Sequence, residues 1–247
     1  GAMIATYPGT EIEAMGINDR VELSLAEHIM QDKINRQWML NGVTLIDPAR
    51  TYIEASVTIG QDTVIQPNTA LAGKTTIGSN CLIGPNSIVR DSVIGHHCKV
   101  TASMLEGATL EDHVDIGPFS HMRKGAYLAK GVHVGNFAEV KNSTLGEGTK
   151  QGHFSYLGDA MIGTNVNIGA GTITANFDGE KKLPTEIGDE TFIGVDTLIV
   201  APRKIGKHSK TGAGSVVTHD VGDDELAYGV PARPHKKKRS VDRGLKR

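Results

Sequence analysis

Aromatic residues are scarce in this chain of 247 residues, and a long apolar run is missing. Phe, Trp and Tyr make up 4% of the sequence, whereas glycine occurs 30 times. This balance disfavours an ordinary β-sandwich or helical bundle and favours many tight turns with small inward-facing side chains. Because no apolar run approaches the length of a membrane span, we expect no membrane partner.

Cysteine is equally rare, since Cys81 and Cys98 are the only two in the sequence. With so few cysteines and no signal-peptide pattern, the sequence predicts a cytoplasmic protein. The two thiols occupy equivalent positions of a repeat described below, close enough for a disulfide by spacing alone. Two reduced thiols facing inward are the simpler interpretation in a reducing compartment.

Charge is small overall but unevenly spread. The formal net charge is −2, and eight Lys and Arg against one Asp from Arg233 onward leave −9 on residues 1–232. We interpret residues 221–247 as a C-terminal basic tail that is solvated or binds phosphates. Nucleic-acid binding lacks an aromatic or fold signature, so no nucleic-acid partner is expected.

The N-terminal region predicts one helix. Residues 1–17 read as a linker whose first three residues look like a protease scar from recombinant expression. Residues 18–42 form a predicted helical arm, with a helix from Ser24 to Leu40 and possible extra turns from Asp19. Ser24 and Glu27 have the spacing of a capping box, and Asn41-Gly42 is a stop signal. The predicted apolar stripe comprises Leu25, Ile29, Ile34, Trp38 and Met39.

An aliphatic residue recurs every six positions after Tyr52, often followed by glycine. This period predicts an all-β fold, a parallel β-helix in which three short sides close each coil of a prism, over residues 43–220. Known hexapeptide-repeat proteins coil left-handed, and we expect that hand by resemblance. The series runs through Ile53, Ile59, Ile65, Leu71, Ile77, Ile83 and Val89, then Ile94 and Val100, then Leu110, Ile116, Met122, Leu128, Val134 and Val140, then Leu145, Gln151 and Leu157, then Ile162, Ile168 and Thr174, and finally Ile187, Ile193, Ile199, Ile205, Thr211 and Val217.

Interruptions of the repeat are as informative as the repeat itself. Five-residue steps at 89–94, 140–145 and 157–162 predict shortened corners, and residues 101–109 read as irregular. The polar stretch 176–186 is too long for a turn, so we expect a projecting loop. Loops inserted in a solenoid commonly lie over its binding face.

A histidine inside the repeat at 145–176 needs a separate explanation. His153 has Tyr156 three positions later, and Glu139, Lys141 and Arg123 lie one or two coils away. A base, an orienting carboxylate and two phosphate-pairing cations would then face one cleft. The alternative is a set of solvated surface charges.

A zinc site is a further alternative because this fold also includes zinc enzymes. The candidates are His113, His121, His133 and His153. Zinc needs converging ligands, usually with one short-spaced pair. These histidines are too widely separated in sequence to place three of them at one corner.

Four strings resemble one family. They are GPFSHMRKGA at 117–126, VHVGNFAEVKN at 132–142, KQGHFSYLGDAMIGTNVNIGAGTITANFDG at 150–179 and GVDTLIVAP at 194–202. They resemble the C-terminal half of the GlmU family, the bifunctional bacterial glucosamine-1-phosphate N-acetyltransferases and N-acetylglucosamine-1-phosphate uridyltransferases.

The resemblance implies acetyl transfer from acetyl-CoA to the amino group of glucosamine 1-phosphate, for UDP-N-acetylglucosamine and cell-wall precursor synthesis. It also implies a homotrimer with active sites at subunit interfaces. His153 would be the general base and Glu139 the residue that orients it. The implied sugar-phosphate residues are Arg123, Lys141, Tyr156, Asn167 and Lys182. The implied acetyl-CoA residues are Ala170, Asn176, Phe177, Val195, Ala213 and Arg233.

Three departures from the family pattern qualify these roles. Val195 stands where the family often has serine, and Gly229 replaces an arginine, so Arg233 or the run 236–239 is expected to contact coenzyme A phosphates. Asn18 matches an asparagine that binds magnesium in the family's other domain. The glycine-rich nucleotide loop of that domain is missing here, so we expect no uridyltransfer and no magnesium requirement. The chain is then either a truncation or a short homologue.

Besides the zinc enzyme considered above, two functions outside this assignment stay open at the level of sequence. One is a hexapeptide-repeat acyltransferase for another sugar. The other is a non-catalytic trimerisation module.

Overall fold

A computed structural model describes residues 15–235, in which one helix leads into a stack of short strands. Helix α1 spans Arg20–Leu40, and a single 3-10 turn covers Pro48–Arg50. The strands are β1 Thr44–Leu45, β2 Thr51–Ile53, β3 Thr58–Ile59, β4 Val64–Ile65, β5 Thr69–Ala72, β6 Thr76–Ile77, β7 Leu82–Ile83, β8 Ile88–Arg90, β9 Val93–Ile94, β10 Lys99–Val100, β11 Met104–Glu106, β12 Thr109–Leu110, β13 Asp115–Ile116, β14 His121–Met122, β15 Tyr127–Leu128, β16 His133–Val134, β17 Ala138–Lys141, β18 Thr144–Leu145, β19 Lys150–Gln151, β20 Ser155–Gly158, β21 Ala160–Ile162, β22 Asn167–Ile168, β23 Ile173–Ala175, β24 Thr185–Ile187, β25 Phe192–Ile193, β26 Leu198–Val200, β27 Arg203–Ile205, β28 Lys210–Thr211, β29 Val216–Val217, β30 Leu226–Gly229 and β31 Ala232–His235.

Each coil contributes one strand to each of three parallel sheets, because a strand pairs with the equivalent strand of the next coil. The first sheet runs from β1 through β4 and β7 up to β30, the second from β2 to β29 and the third from β3 to β27. Within the first sheet, Ile65 pairs with Ile83 and Ile83 with Val100, and all three are completely buried. The six-residue period therefore places one aliphatic side chain per strand inside the prism, which confirms the predicted parallel β-helix preceded by one helix.

One stretch of the repeat was interpreted wrongly. Residues 101–109 are not irregular, because β11 lies there and Leu105 is completely buried between Val89 and Met122 of neighbouring coils. Two consecutive five-residue steps, from Val100 to Leu105 and on to Leu110, hid this coil from a six-residue count. The five-residue steps at 89–94, 140–145 and 157–162 do lie at corners between the second and third sheets.

The predicted capping box at Ser24 and Glu27 was wrong, and the helix includes the extra turns that the sequence allowed from Asp19. Asp19 caps α1 by accepting from the N–H groups of Val21 and Glu22 at 2.9 and 2.8 Å, so Ser24 and Glu27 lie inside the helix. Several short polar residues can cap the N-terminus of a helix, and in this structure the earlier candidate, Asp19, is the cap.

The predicted apolar stripe of α1 is only partly correct. Ile34 and Trp38 pack against the core, but Leu25 and Met39 are 51% and 42% exposed. The docking contact is polar as well, since the buried Asn35 amide donates to the carbonyl oxygens of Pro48 and Thr51 at 2.8 and 2.9 Å. The helix is therefore fixed to the first coil by a side-chain amide as much as by hydrophobic contact.

Regular structure continues beyond residue 220, where the sequence suggested the end of the β-helix. Strand β30 adds to the first sheet beside β28, and β31 folds back antiparallel on it. Arg233 is part of β31 rather than of a solvated tail, whereas the predicted tail run 236–239 lies outside the described residues.

Both cysteines are buried free thiols, and the Cys98 N–H donates to the Cys81 sulfur at 3.4 Å. In the part of the chain that the structure describes, no helix is long and apolar enough to cross a membrane.

Candidate functional site

Four of the predicted site residues lie together on the outer face of the second sheet. Glu139 pairs in register with Tyr156 of the next coil, and Arg123 and Lys141 follow the paired core residues of β14 and β17. Arg123 Nη1 donates to Glu139 Oε1 at 2.7 Å, and this carboxylate raises the pKa of the guanidinium. The Lys141 ammonium has no hydrogen-bond or ion-pair partner among residues 15–235, so this face keeps one cation free for an anion.

His153 lies at the corner where the chain passes from the first to the second sheet, between β19 and β20. Its side chain is exposed, and within the described residues the imidazole has no hydrogen-bond or ion-pair partner. The backbone beneath it is held, because Ser155 Oγ donates to the His153 carbonyl at 2.9 Å. Glu139 is bonded to Arg123 instead, so the predicted orienting role of Glu139 stays a prediction.

Three of the predicted acetyl-CoA residues follow His153 along the same corner. Gln151, Ile168 and Ile193 are paired in successive coils, and the first sheet continues in register to Thr211. Two residues after each of these stand His153, Ala170, Val195 and Ala213, which we call the corner column. Neighbouring members are one strand spacing apart, about 4.8 Å. The column places an imidazole at one end of a row of small or apolar side chains.

The loop between β23 and β24 carries three more predicted residues. Asn176 at its base is 4% exposed, and its amide donates to Asp159 and lies 3.5 Å from the Tyr156 hydroxyl. Further out, the Lys182 ammonium lies 4.3 Å from the centre of the Phe177 ring. The structure thus joins the loop to the face that carries Tyr156.

Three predicted residues lie elsewhere in the chain. Asn167 is on the outer face of the first sheet, paired with Lys150 and Phe192. Arg233 lies near the last coil, with Nη1 at 3.2 Å from His219 Nδ1. Asn18 precedes the helix, where its N–H donates to the Glu22 carboxylate at 2.6 Å.

Sequence reasoning missed an apolar groove beside the charged face. Phe137, Phe154 and Ile173 line it together with Glu139 and Tyr156, and its volume is about 500 Å³. Phe119 stacks on Phe137 with ring centres 5.6 Å apart. The signal was available, because phenylalanine at 119, 137 and 154 recurs at the coil period.

Sequence reasoning also missed two polar side chains that support the site. Gln151 is completely buried in the prism, and its amide donates to Ser155 Oγ at 2.8 Å. Asp159 accepts from both Asn142 and Asn176, so it links the corner of the second sheet to the loop. Gln151 could have been recognised from the sequence, because it is a glutamine at an aliphatic position of the repeat.

The histidines considered for zinc do not converge. His121 bonds to Glu106 at 2.9 Å and His133 to Asp115 at 3.1 Å, while His113 stacks on His97. In residues 15–235 no group of three or more His, Cys, Asp or Glu side chains is placed to hold a metal ion.

Two family models match parts of the chain. Residues 56–91 match the bacterial transferase hexapeptide (six repeats) model, and residues 184–219 match the hexapeptide repeat of succinyl-transferase. Both matches fall in the β-helix and agree with the six-residue repeat.

Curated relatives cover far more of the chain. The protein named Bifunctional protein GlmU from Thermosipho africanus is 52% identical over 217 residues, which is 88% of this chain and 48% of that protein. The one from Thermodesulfovibrio yellowstonii is 50% identical over 229 residues, 92% of this chain and 51% of that protein. The one from Streptococcus agalactiae serotype V is 48% identical over 217 residues, 88% and 47% of the two chains.

These relatives confirm the family that the four sequence strings predicted. The chain spans about half the length of the curated relatives it matches. Together with the repeat and the fold, this similarity places the chain in the GlmU family of hexapeptide-repeat proteins.

Proposed function

We propose that this chain transfers an acetyl group from acetyl-CoA to the amino group of glucosamine 1-phosphate, giving N-acetylglucosamine 1-phosphate. The observation that carries the proposal is the exposed, unpaired imidazole of His153 at the head of the corner column, beside a face that holds Arg123 and Lys141. Similarity to proteins named GlmU supports the choice of substrates.

The reaction requires a neutral amine. Imidazole is the side chain that most often serves as a general base near neutral pH. In the proposed step, the amine nitrogen attacks the thioester carbonyl and His153 accepts the proton that nitrogen loses. The carbon–sulfur bond then breaks, and the coenzyme A thiolate leaves and is protonated.

The charged face supports binding of the sugar phosphate. Arg123 presents a planar guanidinium suited to a phosphate, and Lys141 adds a second positive charge that has no partner among the described residues. Phosphate binding to Arg123 would compete with its bond to Glu139 and release that carboxylate. Tyr156, Lys182 and, from the first sheet, Asn167 are the further proposed sugar contacts.

The small residues of the corner column support a path for the acyl donor. Ala170, Val195 and Ala213 leave room along the corner, and Asn176 and Phe177 lie on the loop beside it. Arg233 is the proposed contact for a coenzyme A phosphate. Because Val195 has no hydroxyl, any polar contact to the donor there comes from the backbone.

A homotrimer with sites between subunits is part of the proposal. The outer face of the second sheet exposes apolar side chains along several coils, and Ile88, Ile173 and Leu198 are 43%, 41% and 39% exposed. Three copies packed around a threefold axis would cover such a face and bring Asn167 and Arg233 of one copy towards the charged face of another. Light scattering should give three times the chain mass, and a monomer mass would contradict the trimer.

Turnover of acetyl-CoA with glucosamine 1-phosphate tests the reaction. We expect His153→Ala to lower kcat by about 10²–10⁴-fold, the usual contribution of a general base. His113→Ala, which removes an exposed histidine at another corner, is the matched control and should keep full activity. Equal rates for His153→Ala and the unaltered protein would eliminate the proposed base.

The acceptor is tested by a panel at fixed acetyl-CoA. Glucosamine 1-phosphate should be preferred over glucosamine, and Lys141→Ala should reduce that preference. A higher rate with an acceptor that lacks phosphate would contradict the roles of Arg123 and Lys141 and favour another sugar.

A further inference from the structure

A row of glycines runs along the first sheet just before the corner column. The row comprises Gly135, Gly152, Gly169 and Gly194, each directly after an inward-facing residue in one of four successive coils. The close stacking of the coils explains three of them, Gly135, Gly169 and Gly194. A Cβ at Gly135 would lie 1.9 Å from the Gly152 carbonyl oxygen. One at Gly169 or Gly194 would lie 2.6 Å from backbone of the coil above. At these positions a side chain would push two coils apart.

Gly152 belongs to the same row, but no contact with the next coil requires a glycine at this position. A Cβ placed on it meets no atom within 4 Å, and its backbone is not in the left-handed region that favours glycine. Alanine would fit there without strain in the described structure. The packing of this chain therefore does not explain the absence of a side chain at residue 152.

The backbone of Gly152 is also unlike its neighbours. The Gly135 N–H donates to the Gln151 carbonyl at 2.8 Å, and the Gly169 N–H donates to the Ile193 carbonyl at 2.9 Å. Among residues 15–235, the Gly152 N–H has no acceptor. A half-buried donor that has no protein acceptor is available to a ligand.

We propose that Gly152 is a contact and a specificity-determining position for the acyl donor, an inference that rests on the proposed acetyl transfer. The free N–H donates to a carbonyl oxygen of the donor, in its thioester or in an amide of its arm. The missing side chain lets that part of the donor lie against the backbone beside His153.

Position within the coil favours the donor over the sugar phosphate as the ligand. Gly152 is on the first-sheet side of His153, at the head of the corner column. Arg123 and Lys141 lie on the second sheet, beyond Tyr156. A neutral carbonyl acceptor, not a phosphate, fits a lone N–H without a cation beside it.

The test is Gly152→Ala, with kinetics and direct binding measured on the same preparation. We expect the melting temperature to stay within about 1 °C, because the new methyl group meets no protein atom. The KM and the calorimetric Kd for acetyl-CoA should rise about tenfold or more, while the KM for the sugar phosphate stays the same. Gly152→Val should extend the effect in the same direction.

Gly135→Ala is the matched control for the glycine row. It should lower the melting temperature because its methyl group meets the backbone of the next coil. A drop of the same size in Gly152→Ala would show a structural glycine and overturn the inference. Unchanged KM and Kd for acetyl-CoA in Gly152→Ala would overturn it as well.

The two readouts separate this inference from the reaction itself. If the unaltered protein binds acetyl-CoA without turnover, the proposed reaction fails, and weaker binding by Gly152→Ala still supports the donor contact. If the unaltered protein neither turns over nor binds acetyl-CoA, both proposals are overturned.

Discussion

The early coils and the coils around His153 follow one six-residue repeat but differ in what the prism contains. In the early coils the aliphatic position of each six-residue unit is hydrocarbon and almost completely buried, as at Ile65, Leu71 and Ile83. Further along, Gln151 and Thr174 occupy the same inward positions, and both are completely buried. At this one position of the repeat, polar side chains thus replace aliphatic ones in the coils whose outer surface carries the candidate site.

The polar side chains at these inward positions affect the free energy of unfolding. The buried Gln151 Oε1 has no hydrogen-bond partner in the described residues, and such an atom costs about 1–3 kcal/mol. The Thr174 hydroxyl is satisfied, since it accepts from the Gly158 N–H at 2.8 Å. At the aliphatic position of the repeat, the hydrocarbon side chains of the early coils therefore stabilise the fold, whereas Gln151 and Thr174 hold backbone and side chains of the site in place.

Truncating the hydrocarbon core should have the largest effect. Leu71→Ala removes a side chain that is 1% exposed and leaves a cavity between closely stacked coils. We expect a loss of about 2–5 kcal/mol in the free energy of unfolding, measured by chemical denaturation. Val93→Ala, on the outer face of the third sheet and 48% exposed, is the control and should cost much less. Equal losses would mean that the prism interior is not the main source of stability.

Loosening the loop should have a smaller and more local effect. Asn176→Ala removes a donor to the Asp159 carboxylate, and a hydrogen bond to a charged group contributes about 1.5–3 kcal/mol. Hydrogen exchange should speed up in 176–184, and acetyl transfer should fall with it. Glu180→Ala at the exposed tip should leave both unchanged. Unaltered exchange in Asn176→Ala would show that the loop is held by other contacts.

Replacing the buried glutamine should separate stability from activity. Gln151→Leu removes the unpaired oxygen, and we expect a gain of up to about 1 kcal/mol in the free energy of unfolding. The hydrogen bond from Gln151 to Ser155 is lost as well, so the backbone at His153 is held less firmly. We therefore expect kcat to fall and the dependence of kcat on pH to change.

An early coil offers a matched control for that variant. The buried Thr69 Oγ1 also has no partner within the described chain, so Thr69→Val should stabilise in the same way. Its activity should stay at the level of the unaltered protein. If both variants kept full activity, Gln151 would have no part in positioning His153.

The smallest effect is expected at a surface ion pair at the corner between the third and first sheets. Lys207 Nζ lies 2.8 Å from Asp189 Oδ2, and this ammonium lowers the pKa of the carboxyl. A lowered pKa stabilises the fold above the unfolded-state pKa of about 3.9, and the benefit is lost as pH falls through the folded pKa. Asp189→Asn should therefore melt slightly below the unaltered protein near pH 7, with no difference in strong acid.

Asp62→Asn is the control for pH, since this exposed carboxylate has no ion pair in residues 15–235. Its melting curve should follow that of the unaltered protein at every pH. A constant offset for Asp189→Asn from neutral to acid would contradict an electrostatic origin.

The fold could be predicted from the sequence because each coil repeats the same packing problem. An aliphatic residue such as Ile83 is buried only when it faces inward and packs on the preceding coil. The coil at Leu105 was missed because two corners in succession were one residue shorter. The helix start was left open between Asp19 and Ser24 because both are good caps, and a local pattern does not choose between them.

The candidate site was only partly predictable. His153 was conspicuous as a titratable residue within a structural repeat, and its alignment with Ala170 follows from the coil length. The direction in which Asn167 faces depends on its sheet, which places it apart from Tyr156 within one chain. The Arg123–Glu139 bond depends on side-chain conformations that spacing does not determine.

The loop between β23 and β24 has a consequence for how this architecture changes. Ile162 pairs with Leu145, 17 residues earlier, and with Ile187, 25 residues later, yet both pairs lie in the same ladder of the third sheet. The longer coil closes on the same register because Ala160 and Thr185 align on either side of the insertion. An inserted loop that leaves the register of the neighbouring strands unchanged can be replaced by another loop without altering the β-helix. Its length and sequence can diversify while the prism stays constant.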